Sequence, residues 1–182
     1  NATDATIRNL TIRNASIKAN GMRAAVLVAR AQSVRIEDVV VYGTVEGTES
    51  VGGIVGIVAG AETSCTIIGC KNYAVLKGSR YGIGGIVGDT LSAGVTIENC
   101  ENYGTINGSQ AGGIIGLVRQ DGQKSITDCR NFAAVSGTQQ AGGIVGDTVG
   151  TGITIENCDN SGNITSTGNS VGGIVSLVRG TV

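Results

Sequence analysis

The sequence contains no histidine, no proline and no tryptophan, and aromatic residues make up only 3% of its 182 positions. Without histidine, the usual partners of cysteine in a zinc site are missing. With one Phe and four Tyr, the chain cannot fill a core with rings as a compact globule normally does, and must use Ile, Val and Ala. Charge is also scarce. The formal net charge is −1 and no basic run occurs, so nucleic acid and acidic membrane surfaces are poor partners. No apolar run approaches the ~20 residues of a membrane-spanning helix, because Gly and polar residues break each one. No leader segment or initiator Met is seen. The chain opens at "NATDATIRNL" and stops at "VRGTV" inside a repeat, so it is expected to be a piece of a longer protein.

What the chain does have is glycine (31 residues), 41% apolar content, and a refrain. The apolar content argues against disorder. "CENYGTINGSQAGGIIG" begins at Cys100, "CRNFAAVSGTQQAGGIVG" at Cys129 and "CDNSGNITSTGNSVGGIVS" at Cys158. Ile54, Ile86, Ile114, Ile144 and Ile174 each follow a Gly-Gly pair, at spacings of 32, 28, 30 and 30 residues. Val39 takes the Cys position one copy before Cys70, and Leu10 takes it in the first copy, with one residue inserted afterwards. Six copies result, beginning near Ile7, Ile36, Ile67, Ile97, Ile126 and Ile155.

Each copy carries three apolar stretches of strand length with partial alternation, such as "VTIENC", "GTING" and "GGIIGLV", separated by polar or Gly-rich corners. No helix-sized window keeps a helical period. Three strands per ~30 residues, repeated in register, predict an all-β fold: a right-handed parallel β-helix of about six turns, with residues 1–182 as one repeat domain. Stacked at the ~4.8 Å strand spacing, six turns make a prism roughly 29 Å long.

A stacked coil gathers equivalent residues into columns, and inward columns must be apolar and of constant size. Leu10, Val39, Cys70, Cys100, Cys129 and Cys158 form one such column, so the cysteines read as buried free thiols acting as small hydrophobes. Cys65 lies off that column and has no assigned role. Asn72, Asn102, Asn131 and Asn160 read as an amide ladder at a left-handed corner. The Gly-Gly pairs mark a corner where a Cβ would clash or φ is positive. "GGIVG" does not match a phosphate-binding glycine loop. Charges also alternate along the axis. Lys71, Glu101, Arg130 and Asp159 change sign turn by turn, and Ile57, Asp89, Leu117, Asp147 and Leu177 keep acids two turns apart, so the full repeat is two turns.

The boxes Gly53-Ile54-Val55-Gly56, Gly85-Ile86-Val87-Gly88, Gly113-Ile114-Ile115-Gly116 and Gly143-Ile144-Val145-Gly146, alternating with Asn-Tyr-Gly phrases, resemble the GLUG-motif repeats of bacterial surface proteins. The resemblance covers roughly residues 36–182; Ser176 departs from the box in the last copy, and Ala25-Val26-Leu27-Val28 departs from it in the first. Such repeats also occur in relatives of IgA-cleaving metallopeptidases. The zinc motif of those enzymes needs two histidines, so no catalytic residue carries over. The resemblance implies an extracellular or bacterial cell-surface setting.

Three functional readings follow. The first is a non-catalytic module that spaces, displays or binds, with a carbohydrate or a host or bacterial surface protein as partner and no cofactor or metal. Its candidate strip is Tyr42, Tyr73, Tyr103 and Phe132, interrupted by Ser161. If it faces outward, the strip can contact a ligand; if inward, it is packing. The alternative is a polysaccharide-cleaving lyase or hydrolase, as in other β-helix proteins. Asp89 and Asp147 stand two turns apart, ~9.6 Å between α-carbons, with Arg119 and Arg179 in the intervening turns. The third, ice or mineral binding, wants a regular Thr column, which Val75, Ala134 and Asn163 interrupt. The absence of a capping helix at either end adds an expectation of end-to-end self-association.

Overall fold

The computed structural model describes residues 1–179, apart from the side chains of residues 61–63. Among these residues there is no helix, and the strands stack in parallel. Ile7, Ile36, Ile67, Ile97, Ile126 and Ile155 lie in one register column, each paired with the next. The chain is therefore a parallel β-helix of about six turns, and the sequence repeat is one turn. The residue inserted in the first copy appears as a register shift between Ile12 and Ala15.

The fifth turn shows the pattern. Strand Lys124–Thr127 is followed by a two-residue rung, Arg130–Asn131, then by Val135–Gly142 and Val145–Thr148. The three expected stretches are present, and the rung joins the first to the second. Between first strand and rung, the chain turns through a left-handed residue. This column is Asn9, Asp38, Gly69, Asn99, Asp128 and Asn157, with φ between 51° and 64°. The left-handed corner thus sits one residue before the Cys column, not at the Asn ladder after it, because Asn, Asp and Gly tolerate this conformation best.

Two cores hold the coil. The main one stacks Val39, Cys70, Cys100 and Cys129 against Ile54, Ile86, Ile114 and Ile144. Cys65 belongs to it as well. It fills an inward column with Val95, Lys124 and Ile153 at the head of the first strand. The second core is smaller. Val45, Leu76, Ile106 and Val135 on the outgoing half of the middle stretch pack with Val51, Ile83, Ala111 and Ala141 on its returning half. The middle stretch of each turn is therefore a folded arm with its own interior.

The refrain of Asn and Gly-Gly has a steric cause. Asn72, Asn102 and Asn131 are fully buried, and each amide nitrogen donates to the oxygen of the next Asn at 2.8 Å. A Cβ on Gly85 would lie 2.5 Å from Cγ of Asn102 and 2.1 Å from the carbonyl oxygen of Gly113. The second Gly of the pair, at Gly53, Gly85, Gly113 and Gly143, makes room for the ladder. Its φ is not in the left-handed region, so clash alone demands glycine there.

Candidate functional site

Tyr42, Tyr73, Tyr103 and Phe132 each follow one residue after the Asn-ladder column. Side chains alternate across a rung, so inward Asn sends the ring outward. Tyr73 and Tyr103 are 37% exposed and Phe132 is 40% exposed. Ring centroids are 4.7, 4.6 and 4.7 Å apart, with interplanar angles of 9°, 3° and 9°. That distance is the strand spacing itself, so the backbone register holds the rings face to face although their quadrupoles prefer an offset. The guanidinium of Arg13 lies 4.9 Å over Tyr42 and covers the first face. The ladder consequently presents ring edges and the tyrosine hydroxyls along its length. The faces between successive rings are taken, while the face of Phe132 toward Ser161 has no ring over it.

A charge ladder runs beside it. Lys71 lies 2.7 Å from Glu101, whose carboxylate also accepts from the Tyr103 hydroxyl at 3.1 Å. The hydrogen bond from Lys71 holds the Glu101 carboxyl below its ordinary range. Tyr81, the remaining aromatic, stands apart from the ladder with the Arg80 guanidinium 5.1 Å over its ring.

Asp89, Leu117, Asp147 and Leu177 pair in register, as the alternation of acids required. Both carboxylates are fully buried. Arg119 pairs with Asp89, and Arg179 lies 2.5 Å from Asp147, each cation coming from the following turn. Ser50 donates to Asp89 at 3.2 Å and Gln110 to Asp147 at 2.8 Å. Burial pushes both carboxyls above the ordinary aspartate range, with the arginines opposing the shift. The structure thus joins each acid to its arginine but makes two separate covered pairs. Neither carboxylate reaches solvent, where an acid acting on a glycosidic bond must stand.

Two features escape a reading by motif. Lys124 is 1% exposed in an otherwise apolar column, its ammonium donating to the carbonyls of Gln120 and Gly122. The bend of the arm carries a groove of about 560 Å³, bordered by Gly47, Gly78, Gly108 and Gly137. The signal for the groove is that glycine column, which the Gly-Gly pairs overshadow.

No known family matches this chain, and no curated protein matches it in sequence. Among solved structures, a candidate immunoglobulin A1 protease from Bacteroides ovatus is similar, with a TM-score of 0.80 and 22% identity. The match covers 96% of this chain and 59% of that one, so this chain spans well under two thirds of its neighbour's length. At this identity the likeness is one of fold. It is consistent with the link to relatives of IgA-cleaving peptidases that the repeats implied.

Proposed function

We propose that this chain is a non-catalytic β-helix module of a bacterial extracellular or cell-surface protein, serving as a rigid scaffold that displays a binding surface. The observation that carries this reading is the outward aromatic ladder, Tyr42, Tyr73, Tyr103 and Phe132, held in register by the coil. Partly exposed aromatics on a rigid support are favoured contact residues, since little conformational entropy is lost on binding. Open ring edges and hydroxyls suit a protein or glycan partner reached through hydrogen bonds and edge contacts. The burial of Asp89 and Asp147 in ion pairs weighs against the polysaccharide-cleaving alternative. The resemblance of the boxes to surface-protein repeats supports the setting.

Immunoglobulin A1, taken from the structural neighbour's name, and a glycan array are the first probes. The Tyr73→Ala/Tyr103→Ala variant is expected to lose binding by tenfold or more to whichever probe the unmodified chain captures. Unchanged binding in that variant removes the ladder as a contact surface.

A further inference from the structure

We propose that the bend of the arm is a second binding site, taking an uncharged polysaccharide strand laid along the coil axis. The groove runs across successive turns between two polar columns. Asn107 and Ser136 stand on the outgoing side of the bend, and Ser109, Thr138 and Thr167 on the returning side. Between them runs the glycine column. A Cβ on Gly78 would lie 2.4 Å from Cγ1 of Ile83, inside the arm, so glycine lets the arm close tightly and leaves bare backbone outside. The column runs through four turns and stops at Ala19 and Ser166. First and last glycines are then about 14 Å apart at the strand spacing. The site is a finite trough of ordinary ligand-site volume.

Its chemistry selects the occupant. On the returning wall hydroxyls recur turn by turn, at Ser79, Ser109, Thr138 and Thr167, as hydroxyls recur along a sugar polymer. The outgoing wall sets Asn107 and Ser136 opposite them, beyond Glu46 and Lys77. The charged side chains in the lining are Glu46 and Lys77, 3.8 Å apart at one end, and Lys18 from the preceding turn also pairs with Glu46 at 3.9 Å. Two lysines on one glutamate leave a single surplus positive charge at that end, and no cation along the rest of the lining to meet the repeated charges of an acidic polymer. An extended peptide would want a free sheet edge or side-chain pockets. Here the strands at the bend already pair with the turns on either side, and the walls are short side chains. The walls are also fixed in advance. The backbone N–H of Ser109 donates to Arg80 at 3.0 Å, and that of Thr167 to Gly137 at 3.1 Å. Little ordering is left for the ligand to impose.

This site shares no residue with the aromatic ladder, so the two are separable by experiment. Titration calorimetry on the chain uses cellohexaose, mannohexaose and laminarihexaose as uncharged probes. Hexagalacturonate and a Gly-Ser-Thr hexapeptide serve as the contrasting ones. Binding of at least one uncharged hexasaccharide is expected. Asn107→Ala/Thr138→Ala, two exposed positions, should weaken it about tenfold or more while leaving the melting temperature unchanged. Tyr73→Ala/Tyr103→Ala should leave it intact, which separates a failure here from a failure of the ladder. The proposal is overturned if no uncharged hexasaccharide binds, if the Asn107/Thr138 variant binds as well as the parent, or if the galacturonate or the peptide binds more tightly.

Discussion

The amide nitrogen of Asn102 lies 2.8 Å from the side-chain oxygen of Asn131, one turn further along the axis, and donates to it. The same nitrogen donates to the carbonyl of Gly104 at 3.1 Å, while the Asn102 oxygen accepts from Asn72 at 2.8 Å. Each interior Asn therefore completes its neighbours as well as itself. Asn102→Ala leaves one N–H of the buried Asn72 amide without a partner, its other going to Ala74, and leaves the Asn131 oxygen only the 3.4 Å bond from the Ala133 N–H. The expected loss is about 2–4 kcal/mol, and Asn160→Ala, at the half-exposed end of the ladder, should cost about 1–2 kcal/mol. Urea midpoints at a common slope measure both. Equal losses at the two positions would contradict the cooperative ladder.

Asp89 gives a pH signature whose sign is fixed by burial. Its carboxyl is raised above the ordinary value, about 3.9 in an unfolded chain. As pH falls from neutral through the native value toward about 3.9, the folded chain takes up a proton that the unfolded chain does not, and the contribution of Asp89 to stability improves. Asp89→Asn has no such proton. The stability difference, parent minus variant, should rise as pH falls through that window and flatten below it. Arg119→Ala should cost about 2–3 kcal/mol at pH 7, because an uncompensated carboxylate stays buried. The cost should shrink in acid as that carboxylate is neutralised. Chemical denaturation from pH 7 to pH 4 tests both; a defect of Arg119→Ala that grows in acid contradicts the assignment.

The stacked architecture was legible because a coil writes every inward position as a column. Ile7 to Ile155 and Cys70 to Cys158 are visible as columns once the spacing is seen, and their register follows. The depth of a column was harder to read. Asp89 and Asp147 look like surface acids, yet Ile57 and Leu117 at the same position signal a covered site. The arm was hidden for another reason. Its outgoing residues, Leu76 and Ile106, alternate just as they would if they faced the main coil, so period alone does not tell one core from two. The direction of Tyr73 and Tyr103 turned on the rung Glu101–Asn102 being extended rather than left-handed, a matter of one residue's φ. The groove at the bend depends on tertiary contact between the two halves of the arm and has no motif.

Lys124 occupies a position where its column mates are Val95 and Ile153. Its stem lies in the coil, and its ammonium is spent on loop carbonyls of Gln120 and Gly122. Burial lowers its pKa, which means the charged form is disfavoured where it stands. Those residues lie toward the surface, where water can replace the ammonium. Lys124→Ile should therefore be neutral or stabilising by about 1 kcal/mol. A loss above about 2 kcal/mol in urea would show that the ammonium is needed to hold the loop.

The cysteines differ in access, and a thiol reagent reads that difference directly. Cys65, Cys70, Cys100 and Cys129 are buried free thiols, while Cys158, in the last turn, is only half covered. Burial pushes the Cys100 thiol well up, and the hydrogen bond with Cys129 together with burial raises Cys158 too, so access and not thiolate content separates them. With a disulfide-exchange reagent at pH 8, the folded chain is expected to release one equivalent promptly, from Cys158, and all five only after unfolding in guanidinium. Cys158→Ser should abolish the prompt equivalent and leave four in the unfolded state. Prompt reaction of two or more thiols in the folded parent would mean that the column opens to solvent on the timescale of the assay. The coil would then be held less firmly along this seam than its packing implies.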